Sequence, residues 1–301
     1  MPHDVEQPRI LFVTPEVSYL PERMSAVPDS FRARAGELAD FSSALISAVF
    51  EKGADVHVAL PDYRSIFNHY ESPLFQKKLT TIRAMKAETK VHLAQDRVFF
   101  YKKKIYSDSE YENMKTSLAF QREVINTIVP RIQPDLIHCN DWMTGLIPAM
   151  AKKLGIPCLF TIHNFYNVTT LLSSIEDSGI DAALFWQNLF FERQPLNYEE
   201  TRARNPVDFL ASGIFSAHFV NTTCPRILRE IIQGEHPLVD SPIKTELINK
   251  VTQGTGLEIL NYLDTSQMSE TGSCKKFDHS IMAEQYISLY GKMLKRPFIN
   301  Q

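Results

Sequence analysis

The residues able to do chemistry in this chain stand directly after short apolar runs. Glu16 follows "ILFVTP". His138, Asn140, Asp141 and Trp142 fall in "HCNDW" after "DLI", His163 and Asn164 close "PCLFTIHN", and Thr222, Thr223 and Cys224 follow "HFVN". Carboxylates and imidazoles held on one rim can exchange protons with a bound molecule or orient its hydroxyls. A fifth stretch, "RARAGELAD", runs from Arg32 through a single glycine, Gly36, into a helical pattern. Amides at such a helix entrance can hold a phosphate. The acid Glu37, placed directly after the glycine, complements the dipole of the empty helix but repels a bound phosphate.

Each residue also has a plainer reading. His163 can cap a helix, Asp141 can be the N-cap of a helix beginning near Trp142, His138 can be a satisfied core histidine, and Glu16 can be a solvated loop acid. Three chemistries find little support. No HxxxH or CxxC spacing offers a metal site, no G-x-S-x-G follows a strand, and no G-x-G-x-x-G follows the first strand.

The elements that must position these groups alternate. "RILFVT" reads as a strand covered on both faces. A helix from Glu37 to about Lys52 carries the apolar stripe Leu38, Phe41, Leu45 and Val49 and stops at Gly53. "DVHVAL" completes a βαβ unit. "LTTIRAM", "KVHLAQ" and "RVFFY" read as short strands of a meander. The helix "SLAFQREVINTIVPRI", strand "DLIHC", helix "TGLIPAMAKKLG" and strand "PCLFTIH" follow. "IDAALFWQNLFF" reads as a helix, and "NPVDFLASGIFSA" as a helix capped by Asn205 with Pro206 first. Strand "HFVNTT" and helix "RILREIIQ" close the alternation, which predicts an α/β doubly wound parallel sheet. In such sheets ligands bind beyond the carboxyl ends of the strands, where the polar clusters fall. After Gly234 the pattern fades into a loop-rich stretch with one or two short helices. It returns in "FDHSIMAEQYISLYGKMLKRP", a helix with Met282, Tyr286, Leu289 and Met293 on one face, Asp278 as cap and Phe277 with Met282 as staple.

At 301 residues the chain can bury a large core. A net charge of -3 gives no sign of a nucleic-acid partner. No apolar run reaches membrane-spanning length, and the N-terminus reads as a strand start rather than a signal peptide. The scattered Cys139, Cys158, Cys224 and Cys274 form no CxxC pair and read as reduced thiols. The expectation is a cytoplasmic protein with no membrane contact.

"ILFVTPE", "RAGELADFSSAL", "GADVHVALPDYR", "PDLIHCNDWMTGLIPAMAKKLGIPCLFTIHN" and "VDFLASGIFSAHFVNTTCPRILREI" together resemble the N-terminal domain of bacterial glycogen and starch synthases. These are retaining glycosyltransferases of family 5 with the GT-B fold. The resemblance runs from about Arg9 to about Ile232. The closing helix resembles the family's last helix, which crosses back onto this domain. The resemblance implies residues 1–240 as the synthase-type N-terminal domain, half of a GT-B fold, with 241–276 as linker and 277–301 as crossing helix. It implies glucose transfer from ADP-glucose to the non-reducing end of an α-1,4-glucan with retention. ADP-glucose is a substrate there, and neither cofactor nor metal is needed. Arg34 to Asp40, Gly36 included, occupy the family's K-T-G-G-L-A-D loop beside the donor phosphates and acceptor. His163 matches the histidine beside the donor sugar, and Asp141 and Trp142 match the "DW" of the cleft. His163 and Asp141 are thus the expected catalytic pair. Glu16, Arg34, Gly36, Asp40, Asn140, Trp142, Asn164 and Thr223 are the expected substrate contacts.

The departures are specific. Arg34 replaces a lysine, Glu37 replaces the second glycine, Met143 follows "DW", and "HNFYNV" lacks the family's glutamine and glycine. About 45 residues separate the first domain from the final helix, too few for the nucleotide-binding domain. Three readings stay open: a synthase-type enzyme acting alone or with a second chain that supplies the nucleotide half; a non-catalytic relative binding glucan or a partner; and another small-molecule enzyme using the same rim.

Overall fold

The computed structural model describes residues 7–24, 31–69, 89–222, 225–233, 239–258 and 279–295. Strand β1 (Arg9–Val13) leads by a loop into helix α1 (Glu37–Glu51) and back to β2 (Asp55–Pro61). The short helix α2 (Arg64–His69), strand β3 (Val91–Ala94) and helical turn α3 (Arg97–Phe100) follow. Helix α4 (Glu110–Glu123) passes through a π-helical turn, Val124–Ile128, into α5 (Val129–Ile132). Pro130 has no amide to return to an α-helical carbonyl, and a wider turn just before it accommodates the loss. Next come β4 (Leu136–Asn140), α6 (Ile147–Leu154), β5 (Cys158–Ile162), β6 (Thr169–Leu171) and α7 (Leu172–Asp177). The chain continues through α8 (Tyr198–Arg204), β7 (Pro206–Asp208), α9 (Phe209–Ser216), β8 (Phe219–Thr222), α10 (Pro225–Gln233), α11 (Ser241–Thr252) and β9 (Gly256–Glu258) to α12 (His279–Lys295).

Seven strands form one parallel sheet in the order β3-β2-β1-β4-β5-β8-β9. β1 is an interior strand, beside the central β4, with Ile10 opposite both Val56 and Leu136. Its residues Ile10 to Val13 are buried on both faces, which is why the run is continuously apolar. α1 buries Leu38, Phe41, Leu45 and Val49 as the stripe requires.

Several local expectations fail for identifiable reasons. "KVHLA" is a strand, but it joins β2 in parallel rather than forming a meander. "RVFFY" is helical, because Asp96 Oδ1 accepts the Val98 amide (2.7 Å) and starts a turn. "LTTIRAM" lies outside the described residues. "IDAALFWQNLFF" holds two single 3-10 turns, Ala182–Leu184 and Trp186–Asn188, not one helix. Asn205 is not an N-cap: it closes α8 as its C-cap, its Oδ1 accepts the Arg193 amide and its Nδ2 donates to the Arg193 carbonyl. Pro206 therefore opens β7, antiparallel to β6, and Asp208 caps α9 through the Ala211 amide (2.7 Å). The stretch after residue 240 begins with helix α11 and the edge strand β9, while 259–276 lies outside the described residues. Asp278 and Phe277, the expected cap and staple, lie outside them too.

α12 packs against α1 and buries Met282, Tyr286 and Leu289, together with Ala283, Tyr290 and Met293. Its two tyrosines enter a buried relay across three strands. Asn221 Oδ1 only accepts, so Thr161 Oγ1–H donates to it (2.6 Å). His138 Nε2–H must then donate to Thr161 Oγ1 (2.7 Å), which leaves Nδ1 to accept the Tyr290 hydroxyl (2.8 Å). Asn221 Nδ2 donates to the Tyr286 hydroxyl (2.6 Å). His138 is thus a satisfied core histidine in one neutral tautomer, its pKa pushed down to about 3 by burial.

Candidate active site

The loop after β1 turns Glu16 inward, where it is 1% exposed. Its Oε2 accepts the amides of Ala35 and of Gly36 (3.1 Å), at the entrance of α1. Its Oε1 accepts the Tyr106 hydroxyl (3.1 Å). Burial raises the Glu16 pKa, and the two amides and Tyr106 offset part of that rise. Gly36 is the N-cap, and no side chain caps α1. Its backbone is extended (φ -159), and a Cβ added there would meet nothing within 4 Å.

A second knot forms at the ends of β4 and β5. Asp141 sits at φ 65, a conformation that non-glycine residues seldom adopt. It does not cap the turn Trp142–Thr144 with its side chain. Its carboxylate instead reaches across to β5. Oδ1 accepts the amides of His163 (3.4 Å) and Asn164 (3.5 Å), and Oδ2 accepts Asn164 Nδ2 (2.5 Å). Burial lifts its pKa to about 7, and the charge of Glu16 adds to the rise. His163 donates from Nε2 to Asn140 Oδ1 (3.0 Å), since Asn140 Nδ2 faces the Val13 carbonyl (3.4 Å). His163 Nδ1 is then an acceptor with no partner among the described residues. Burial pushes the ring down to about 3, so it is neutral.

The expected substrate contacts divide by position. Glu16, Gly36, Asp141, His163 and Asn164 lie at the carboxyl ends of β1, β4 and β5, and Phe41 of α1 packs edge-on against His163 (5.1 Å). Asn140 is 1% exposed and acts on His163, and Trp142 is 2% exposed beneath Tyr166 (5.1 Å). Both are buried, as Glu16 and Asp141 are. Arg34 is spread on Asp40 by Nη2 (2.7 Å) and Nε (3.0 Å), and Ser18 also donates to Asp40. The Arg34 hydrogen bond lowers the Asp40 pKa most. Thr223 lies outside the described residues. Sequence reasoning missed Tyr106, which stands in a polar loop far from any strand end, and Tyr166, whose side chain is 43% exposed on the rim.

The family model for the starch synthase catalytic domain matches residues 9–247. The chain belongs to this family. A glycogen synthase of Moorella thermoacetica is 29% identical over 248 residues, covering 76% of this chain and 46% of its own. One of Chlorobaculum parvum is 24% identical, covering 86% and 54%. The chain spans about half the length of the curated relatives it matches. Among solved structures it is similar to the catalytic domain of starch synthase IV from Arabidopsis thaliana, bound to ADP and acarbose. That match has a TM-score of 0.56 and 17% identity, and covers 86% of this chain and 52% of the other. The likeness establishes the parallel-sheet GT-B half-fold. Among the described residues no helix is long and apolar enough to cross a membrane.

Asp141 makes the stability of the domain sensitive to pH. Its folded pKa, about 7, lies above the ordinary carboxylate value of about 3.9. The folded chain therefore holds a proton between these values that the unfolded chain has released. Stability from this group is complete below pH 4 and is lost as pH rises through 7. From pH 5 to pH 8 the wild type should lose roughly 2–3 kcal/mol relative to Asp141→Asn. Urea denaturation of both at the two pH values measures this. A parallel pH dependence would place the Asp141 pKa in the normal range.

Proposed function

We propose that this domain is the acceptor-side half of a glycogen synthase-type glucosyltransferase. It holds the end of an α-1,4-glucan and the sugar-phosphate part of ADP-glucose at the rim, and glucose is transferred with retention. The reading is carried by Gly36. Neither its backbone angle nor its packing requires glycine, whereas the approach of a phosphate to the start of α1 would, beyond the Ala35 and Gly36 amides that Glu16 holds. His163 Nδ1 supplies an acceptor for a sugar hydroxyl, and Asp141 holds the His163–Asn164 backbone in place. No cofactor enters, and a cytoplasmic location suits the free, buried Cys139 and Cys158.

Only residues 259–278 separate β9 from α12, too few for a domain. The nucleotide-binding half must come from outside residues 9–295, and a second chain is one source. The alternative, a glucan- or partner-binding relative without turnover, is favoured by the exposed Glu37 beside the amides and by Arg34 being engaged on Asp40. Calorimetry with ADP-glucose and malto-oligosaccharide, plus labelled glucose transfer to glycogen, separates these. Glu37→Gly should tighten ADP-glucose binding a few-fold, because a charge at a helix entrance is worth about 0.3–1 kcal/mol. Transfer should stay low until a nucleotide-binding domain is added, and His163→Ala should abolish the complemented activity. Binding of neither ligand overturns the proposal, and strong transfer by residues 9–295 alone overturns the need for a second half.

A further inference from the structure

Phe41 of α1, Tyr286 of α12 and His138 of β4 form a chain of ring contacts that reaches His163. Phe41, 2% exposed, meets His163 edge-on at 5.1 Å and also meets Tyr286 of α12 at 6.4 Å. Tyr286 is fully buried and fixed twice over. Its hydroxyl accepts Asn221 Nδ2 (2.6 Å), and its ring stacks on His138 at 5.7 Å with 21° between planes. His163 itself has one side-chain hydrogen bond among the described residues, to Asn140. A single hydrogen bond leaves an imidazole free to swing about that axis, so the packed face must set its plane. Phe41 sits on α1, and its own ring is backed by α12.

We infer that Tyr286 is a positioning residue that sets the His163 ring through Phe41, so that the C-terminal helix forms the back wall of the site. The inference rests on the reading of His163 as the ligand-facing acceptor. Truncating Tyr286 opens space behind Phe41. Phe41 relaxes into it, His163 loses its packed face, and the Nε2–H···Asn140 hydrogen bond no longer fixes one tautomer.

Nitrogen-15 labelling of the histidines tests this, since protonated and bare ring nitrogens resonate far apart. In the full chain, His163 should show one tautomer with a bare Nδ1. Tyr286→Leu and Phe41→Leu should turn the His163 signals into a tautomer average, measured well below each variant's melting temperature. Tyr286→Phe keeps the ring but loses the Asn221 hydrogen bond. It should melt earlier yet leave the His163 signature unchanged, which divides positioning from stability. Tyr290→Phe, which touches His138 and not Phe41, should also leave it unchanged. If Tyr286→Leu fails to fold, Phe41→Leu and Tyr286→Phe decide. An unaltered His163 signature in Phe41→Leu, or an averaged one in Tyr286→Phe, overturns the inference. Titration with ADP-glucose provides the separate arm. Unchanged binding by His163→Ala removes the ligand-facing reading while leaving the ring coupling measurable.

Discussion

Replacing both Tyr286 and Tyr290 with alanine should leave the domain without a cooperative folded state at room temperature. Both side chains are essentially fully buried between α12, α1 and the sheet. Removing a large aromatic from such a position costs about 3–5 kcal/mol. Each loss also strands a polar group that has no access to water. Without Tyr290, His138 Nδ1 has no donor, and without Tyr286, Asn221 Nδ2 has no acceptor. A buried group left unpaired costs about 1–3 kcal/mol. The sum for the pair is about 8 kcal/mol or more, against a typical domain stability of about 5–15 kcal/mol. The single change Tyr290→Phe isolates the relay. It keeps the ring against Phe12 and should cost only the hydrogen bond and the stranded acceptor, about 1–3 kcal/mol. Circular dichroism with urea reads both variants against the wild type. A double variant that melts cooperatively near the wild type would show that α12 is a loosely attached appendage.

Much of this frame could be read from the sequence, because its signals are local. The run Ile10 to Val13 is continuously apolar and Leu159 to Ile162 is interrupted only by Thr161, since both sheet faces are covered by helices. The stripe Leu38, Phe41, Leu45, Val49 has one period and one partner layer. The apolar face of the last helix was equally plain, and Met282, Tyr286, Leu289 and Met293 are all buried. What could not be read was the target of its polar atoms. His138 and Tyr290 stand 152 positions apart, and nothing near either residue announces the other. Local signals also misled where two of them competed. Asn205 before Pro206 has the composition of a helix start, but its amide side chain is fully used by Arg193, and the cap passes to Asp208. In the site, residue types at strand ends pointed to Glu16, Asn140, Asp141, Trp142 and His163 as one cluster. They did not reveal that Glu16, Asn140, Asp141 and Trp142 are all buried, because a strand end sets the place of a residue and only packing sets its direction.

The two glycines flanking this chemistry should respond in opposite ways to the same added methyl group. Gly145 links the turn Trp142–Thr144 to α6, and the start of α9 presses against it. A Cβ there would stand 2.7 Å from the carbonyl carbon of Phe209 and closer still to its oxygen. The obstacle is backbone, so no rotamer change relieves it, and α9 must move away from the turn that follows Asp141. Overpacking a core costs about 1–3 kcal/mol when side chains can adjust. Here Gly145→Ala should cost at least about 3 kcal/mol, with the shift delivered directly to Asp141 and Trp142. Gly36 has an extended backbone and open space around it, so Gly36→Ala should change stability by less than about 0.5 kcal/mol. Its effect should appear with ligand present, as weaker binding of ADP-glucose at an unchanged melting temperature. Urea denaturation and calorimetry on the two variants give the four numbers. If Gly36→Ala destabilised the empty domain as much as Gly145→Ala does, its glycine would belong to the fold and the phosphate site would lose its main support. If stability holds and affinity drops, an absent side chain at position 36 is explained by what the site binds.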